Sequence, residues 1–139
     1  MATIFTKIID GEIPGTFLHR DEVCVSFMSI NPIADGHLLI IPRTEIDEWT
    51  DLDLDTISHV MKTAHAFGRA VKKSHQCTRA GLIIAGFEIN HCHIHVIPTR
   101  TMADLDFKNA APSVSREYLE EHAERIRKAM PEFGLTPSS

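Results

Sequence analysis

Three histidines alternate with other residues in the segment HCHIHVIP, residues 91–98. Successive side chains of a β-strand point to opposite faces, so His91, His93 and His95 are expected to share one face. The apolar residues between them are expected to face the core, which leaves the imidazoles lining a surface. One histidine on such a face has no special meaning, whereas three in strict alternation indicate a site that performs chemistry.

Metal binding is one such chemistry, because neutral imidazole is a common metal ligand. At a rise of about 3.3 Å per residue, His91 and His95 are expected to lie roughly 13 Å apart along the strand. That separation is too large for all three rings to surround one ion at Zn–N distances of about 2.1 Å. A site of two histidines with a remote third ligand stays open. Catalysis by a central nucleophile, His93, held between two other imidazoles is the competing interpretation.

Short apolar segments predict the strands that would carry these side chains. Residues 17–28 and 37–42 are rich in β-branched residues and are bounded by charge, glycine or proline. Residues 80–86 and 92–98 predict two further strands. The residues between those two strands, FEIN, are few enough for a hairpin or a continued antiparallel pair.

Two segments show the spacing of amphipathic helices. Residues 53–74 place six apolar residues on one stripe, with aspartates near the start and lysines near the end, as the helix dipole favours. A second helix is predicted over residues 116–129, with Ser115 as its N-cap. The order of strands, helix, strands, helix predicts an α+β fold around a mostly antiparallel sheet.

Length and composition predict one domain, residues 1–139, with a core of about residues 1–110 followed by a C-terminal helix and a mobile tail over 111–139. The net charge of −5 and the scattered basic residues argue against a nucleic-acid polymer as partner. No apolar run reaches the length of a signal peptide or a membrane span, so we expect a cytoplasmic protein with no membrane partner. The three cysteines lack the close spacing of a zinc knuckle or a disulfide framework.

The alternating segment resembles the signature of the histidine triad (HIT) family. Three segments resemble that family in the same order, namely TIFTKIIDGEIP (3–14), GHLLIIPR (36–43) and AGFEINHCHIHVIP (85–98). The resemblance implies the HIT-like fold, a five-stranded antiparallel sheet with two helices, and a homodimer. It also implies a nucleotide hydrolase or transferase that acts at the α-phosphate through a covalent nucleotidyl-histidine.

The resemblance assigns roles to four histidines. His93 is similar to the nucleophile, and its second ring nitrogen is expected to donate to the main-chain carbonyl of His91. His95 is similar to the member that contacts the phosphate, and His37 matches a fourth histidine that supports His91. Together these groups are expected to stabilise charge on the phosphate oxygens and to assist the leaving group.

Other positions match the nucleoside pocket of the family. Phe5, Ile13 and Ile30 match apolar residues that hold the base, although each could equally belong to an ordinary core. Ser29 stands where relatives often carry an aspartate for the ribose hydroxyls, and a serine can still donate and accept. These four residues are the expected nucleotide-binding set.

The chain departs from the family pattern near the triad and at the N-terminus. Phe87 and Glu88 stand in place of a longer glycine-rich loop and a glutamine, and a carboxylate there favours a substrate with an amine leaving group. Thr3 and Thr6 replace two cysteines that hold a structural zinc in some bacterial relatives, so no structural zinc is predicted. Arg100 is expected either to reach a phosphate or to be solvated.

A purine nucleoside phosphoramidate is the first substrate that the resemblance implies, and a dinucleoside polyphosphate is the second. No metal or other cofactor is needed to make the nucleophile. The departures from the family pattern leave two other classes open. One is a nucleotide-binding protein with weak or no turnover, and the other is a two-histidine metal module.

Overall fold

The computed structural model describes residues 2–138. One antiparallel sheet has the strand order β1-β2-β3-β5-β4. The elements are α1 (Ile4–Ile9), β1 (Phe17–Arg20), β2 (Cys24–Met28), β3 (Leu38–Pro42), α2 (Leu54–His75), β4 (Arg79–Ile83), β5 (Ile94–Thr99) and α3 (Arg116–Ala129). The prediction of an α+β fold with five antiparallel strands is confirmed.

The two long helices cover one face of the sheet. Asp53 and Ser115 cap them, each accepting a hydrogen bond from a main-chain N–H three residues later. Side chains at alternate positions of β3 and β5 pack with both helices, and Phe67 of α2 lies at 0% exposure. This face forms the larger apolar core.

A short helix that the sequence reading missed, α1, packs on the opposite face. Its sequence, IFTKII, is only six residues long and β-branched, so its pattern does not distinguish a helix from a strand. Thr3 caps it by accepting from the N–H of Thr6 at 3.2 Å. Phe5 of α1 contributes to a second apolar cluster with side chains of β2 and β3, such as Phe27 and Leu39. Two helices were expected and three are present.

The connection between β4 and β5 is longer than a hairpin turn. The two strands do pair antiparallel, with Ile83 opposite His95, but β4 ends at Ile83 and β5 begins only at Ile94. Ten residues of irregular backbone, 84–93, therefore lie between them. The strand predicted over residues 80–86 therefore ends too late, and the strand predicted over residues 92–98 begins too early.

The C-terminal tail lies along the edge strand β1. The N–H of Ser138 donates to the carbonyl of Leu18 at 2.8 Å, and the carbonyl of Thr136 lies 3.1 Å from His19 Nδ1. The mobile tail predicted from the sequence stays a prediction, and these two contacts are the ones that would hold the tail against β1. Separately, no helix within residues 2–138 is long and apolar enough to span a membrane.

Candidate active site

The predicted nucleophile lies just before β5, where its protonation pattern is fixed. His93 Nδ1 is 2.7 Å from the main-chain oxygen of His91, which confirms the expected contact. Because a carbonyl can only accept, Nδ1 carries the proton, and a neutral ring then has an unshared electron pair on Nε2. Burial lowers the pKa of His93, which keeps the ring neutral and able to attack at neutral pH.

His95 is oriented by His37 in the same way. The N–H of Ile33 donates to His37 Nδ1 at 3.0 Å, so the proton of a neutral His37 is on Nε2. That nitrogen is 2.9 Å from His95 Nδ1, which must accept. The proton of His95 is therefore on Nε2, where it can be donated to a phosphate oxygen or a leaving group. Burial lowers the pKa of His37 to about 4 and that of His95 to about 3, so both rings are neutral.

The predicted partnership of His37 with His91 is wrong. Antiparallel pairing of β3 with β5 sets Leu38 opposite Val96 and Leu39 opposite His95, which brings His37 to His95. His91 lies further back along the chain, before β5 begins. The structure assigns its support to other groups.

Thr3 and Pro42 hold the ring of His91. Its Nε2 is 2.7 Å from the carbonyl of Pro42, and its Nδ1 is 2.8 Å from Thr3 Oγ1. Nε2 therefore donates to the carbonyl, and the threonine hydroxyl donates to Nδ1. Glu45 accepts from Thr6 Oγ1 at 2.6 Å and from the N–H of Thr3 at 2.8 Å. At the two positions where some relatives have zinc-binding cysteines, threonine hydroxyls thus form hydrogen bonds.

Replacing Thr3 by valine is expected to lower kcat about tenfold and the free energy of unfolding by about 1 kcal/mol. The change removes the cap of α1 and the donor to His91, whose carbonyl orients His93. Steady-state kinetics and urea unfolding would measure both effects. Thr6→Val is the matched control, because Thr6 Oγ1 bonds Glu45 and makes no bond to His91. Equal kcat values in the two variants would contradict a role of Thr3 in positioning the triad.

Two of the three imidazoles, His93 and His95, line the surface of a cavity, but all three rings are buried. His91 is 0% exposed, and His93 and His95 are 7% and 9% exposed. The ring of Phe5 packs edge-on against His93 with centroids 4.9 Å apart, and the ring of Phe107 packs edge-on against His95 at 4.9 Å. These aromatic contacts lower the local polarity, which accounts for the depressed pKa values.

A cavity of about 400 Å³ opens beside His93, His95 and His37. Phe5, Ser29 and Ile30 line it as expected, with Ile30 exposed at its rim, whereas Ile13 does not line it. Its size and mainly apolar wall suit a flat heteroaromatic ring system. The lining residues that the sequence reading missed include Ile4, Ile8, Phe27, Leu39, Ile89, Phe107, Ala110 and Ala111.

The residues that depart from the family pattern have separate surroundings. Glu88 lines the cavity and raises the pKa of His93, against the larger lowering by burial. Phe87 is 98% exposed and does not line the cavity. Arg100 Nη2 donates to the carbonyl of His75 at 2.6 Å, so its guanidinium is neither at the cavity nor purely solvated.

A group of side chains that could share a metal ion lies away from the cavity. Among the described residues, the group of histidine, cysteine, aspartate or glutamate side chains close enough to share an ion is Asp21, Cys24 and His59. None of these belongs to the cavity. The arrangement at the cavity instead pairs an unprotonated Nε2 on His93 with a proton-bearing Nε2 on His95, whose ring centroids are 5.0 Å apart.

Known proteins resemble the chain over most of its length. The HIT domain model matches residues 10–102. A HIT-like protein of Methanocaldococcus jannaschii is 32% identical over 99 residues, covering 68% of this chain and 77% of that protein. An adenosine 5'-monophosphoramidase of Saccharomyces cerevisiae is 34% identical over 100 residues, covering 71% of this chain and 63% of the yeast protein.

A solved structure shares the fold. The crystal structure of a HIT-like protein from Bartonella henselae, described as involved in cell-cycle regulation, superposes with a TM-score of 0.81 at 31% identity. The match covers 91% of this chain and 95% of the Bartonella chain. On the matched domain, this solved relative and the alternating histidines, the chain belongs to the histidine triad family.

Proposed function

We propose that this protein acts on purine nucleoside phosphoramidates, either by hydrolysing them or by transferring their nucleotidyl group. The observation that carries the proposal is the opposite protonation of the two rings at the cavity, a free Nε2 on His93 beside an Nε2–H on His95. Nucleophilic displacement at phosphorus needs both an attacking electron pair and a proton donor for the leaving group. The yeast relative named as an adenosine 5'-monophosphoramidase supports adenosine as the first nucleoside to test.

The reaction proceeds in two steps. His93 Nε2 attacks the α-phosphorus, the P–N bond to the amine breaks, and the amine takes up the proton of His95 Nε2. A water molecule then attacks the nucleotidyl-histidine and gives one proton back to His95 Nε2, the P–N bond to His93 breaks, and the nucleoside monophosphate leaves with both rings neutral again. Another acceptor in place of water would give transfer instead of hydrolysis. Neither step requires a metal to generate the nucleophile.

Three residues line the space for the nucleoside in this proposal. Phe5 and Ile30 provide apolar contact for the base, and Ser29, which is 8% exposed, provides a hydroxyl for the ribose. Glu88 at the cavity rim attracts an amine leaving group and disfavours an anionic one such as a nucleotide. The carboxylate therefore favours phosphoramidates over dinucleoside polyphosphates, our second candidate class.

Intact mass spectrometry of wild-type protein quenched early with adenosine phosphoramidate tests the proposal. We expect an added adenylyl group on the peptide that contains His93, together with release of AMP. A parallel reaction with a dinucleoside tetraphosphate is expected to be slower, and Glu88→Gln should narrow the difference between the two substrates. Binding of AMP without adduct or release from either substrate would overturn the proposal in favour of a nucleotide-binding protein.

We also propose that two copies of the chain form a homodimer through β4 and α2. In residues 2–138, β4 has β5 on one side and no strand on the other. Next to that edge, Leu82 of β4 is 43% exposed and Met61 of α2 is 39% exposed. An unpaired edge strand beside exposed apolar side chains is a surface that a second copy can cover.

A cytoplasmic location stays part of the proposal, and it is compatible with the three free cysteines of the structure.

Replacing Leu82 by glutamate is expected to convert this dimer to monomers. The substitution places one carboxylate from each copy against the apolar interface, where burial without a partner is costly. Size-exclusion chromatography with light scattering should give the mass of two chains for the wild type and of one chain for the variant. Leu54→Glu is the matched control, because Leu54 is 81% exposed at the start of α2. A monomeric wild type would contradict the prediction.

A further inference from the structure

A second cluster of ligating side chains lies where the turn between β1 and β2 meets α2. The ligand atoms of Asp21, Cys24 and His59 all lie within 4.8 Å of one another. His59 Nε2 is 2.8 Å from Asp21 Oδ2, and Cys24 Sγ is 3.9 Å from the same oxygen. Cys24 packs in the core beneath the helices, whereas Phe5, beside the triad, packs in the cluster on the opposite face. The second cluster is therefore separate from the proposed active site.

His19 contacts the carboxylate of this cluster but is outside the group of ligand atoms that could share an ion. Its Nδ1 lies 3.1 Å from the carbonyl of Thr136, which can only accept, so Nδ1 carries a proton. A neutral His19 then directs the electron pair of Nε2 at Asp21 Oδ2, 2.9 Å away. Two electron pairs at that distance repel unless His19 takes up a second proton or a metal ion binds Asp21.

The positions of the donor atoms suit a tetrahedral ion. With Zn–S of about 2.3 Å and Zn–O and Zn–N of about 2.0 Å, the sulfur and oxygen of a tetrahedral site lie about 3.5 Å apart, and the nitrogen and oxygen about 3.3 Å apart. The corresponding separations here are 3.9 Å and 2.8 Å. Adjustments of under about 1 Å, within the reach of side-chain rotation, would complete the site.

The carboxylate is already held in place without the ion. Asp21 Oδ1 accepts from the N–H groups of Val23 and Cys24, each at 2.8 Å, which leaves Oδ2 turned toward the histidines. The side chain of His59 is 41% exposed, which gives an ion a path from solvent, while Cys24 is fully buried. Fixed outer hydrogen bonds and an entry path are both features of metal sites.

We propose that Asp21, Cys24 and His59 bind a zinc ion that joins the β1–β2 turn to α2. On binding, the Cys24 thiol releases its proton to solvent and a Zn–S bond forms. One thiolate and one carboxylate then balance the charge of Zn²⁺, and the neutral imidazole of His59 is the third protein ligand. Thiolate with imidazole is a combination that favours zinc over magnesium or calcium.

Calorimetric titration of Zn²⁺ into metal-free wild-type protein tests this site. We expect one ion per chain, and at least about tenfold weaker binding for both Cys24→Ser and His59→Ala. Co²⁺ used as a probe should give a thiolate-to-metal absorption band in the wild type that is lost in Cys24→Ser. The matched controls are His65→Ala, an exposed residue of the same helix, and His93→Ala at the triad, and both should keep wild-type affinity.

The outcomes separate this site from its alternatives. No binding of Zn²⁺ would overturn the proposal and leave His19 as an imidazolium paired with Asp21. Binding that His93→Ala abolishes and Cys24→Ser leaves intact would also overturn it, because the ion would then be at the triad. Circular dichroism of each metal-free variant establishes that it is folded before titration. Because the readout is metal affinity, the result is independent of whether the protein acts on phosphoramidates.

Discussion

Replacing His93 by alanine is expected to lower the hydrolysis of adenosine phosphoramidate by at least about 10³-fold and to eliminate the nucleotidyl adduct. The change removes the Nε2 electron pair that attacks phosphorus, and no other described ring at the cavity offers an equivalent one. His95 Nε2 carries a proton, because the chain of hydrogen bonds from Ile33 through His37 fixes its tautomer. Single-turnover kinetics with quenched samples would measure the loss.

Nucleotide affinity separates a chemical effect of this substitution from a structural one. Ser29 and Ile30 also line the cavity and are unchanged by the substitution, so His93→Ala should bind AMP within a few-fold of the wild type. Leu82→Glu, at a residue that does not line the cavity, is the matched control for turnover within one subunit. Retention of full turnover in His93→Ala would assign the nucleophile to another residue. Loss of AMP binding together with turnover would indicate a collapsed pocket.

The alternation of the triad predicted that His93 and His95 lie together, because period-two spacing is a local property of the chain, and both rings line the same cavity. The contact of His93 with the His91 carbonyl was implied by the family resemblance and is confirmed. The N-cap of α3 was likewise predicted at Ser115, whereas Asp53 was expected only to supply charge near the start of α2, which it in fact caps. Features that depend on neighbours within a few residues were the ones that the sequence predicted well.

Contacts between distant segments were not predictable in this way. The pairing of His37 with His95 depends on the register of β3 against β5, 58 residues away in sequence, and the resemblance assigned His37 to the wrong partner. Phe107 reaches the same cavity from a loop of two short 3-10 turns after β5, with no spacing that marks it. The contact of His19 with the carbonyl of Thr136 is likewise long-range. The contact of His19 with Asp21 depends on the turn between β1 and β2.

Acid is expected to unfold the protein steeply between about pH 6.5 and pH 4. Burial lowers the pKa of His37 and His75 to about 4 and that of His95 to about 3 in the folded protein. Above pH 6.5 these rings are neutral in both states and their titration does not affect stability. As the pH falls below 6.5, the unfolded chain binds protons first, so stability falls until the folded protein is protonated near pH 4.

The size of the effect follows from the number of buried rings. Each one lowers the free energy of unfolding by about 1.4 kcal/mol per pH unit in this window, and three lower it by about 4 kcal/mol per unit. Total stabilities are typically about 5–15 kcal/mol, so a loss of about 4 kcal/mol per pH unit unfolds the chain within about one to four pH units. Hydrogen bonds outweigh the effect of burial and hold the pKa of Asp21 far below its usual range. The contribution of Asp21 to stability is therefore lost only below this pH window.

Urea unfolding at a series of pH values measures how steeply the free energy of unfolding changes with pH. A substitution of His75 tests which residues cause this slope. His75 lies outside the proposed active site, with Nε2 2.9 Å from His122 Nδ1. His75→Gln should reduce the slope by about 1.4 kcal/mol per pH unit, whatever it does to stability at pH 7. His65→Gln, on the exposed face of the same helix, is the control for loss of an imidazole. A wild-type slope below about 1 kcal/mol per pH unit would mean that these rings are already protonated in the folded protein. In that case His95 would not be neutral, as the proposed reaction requires.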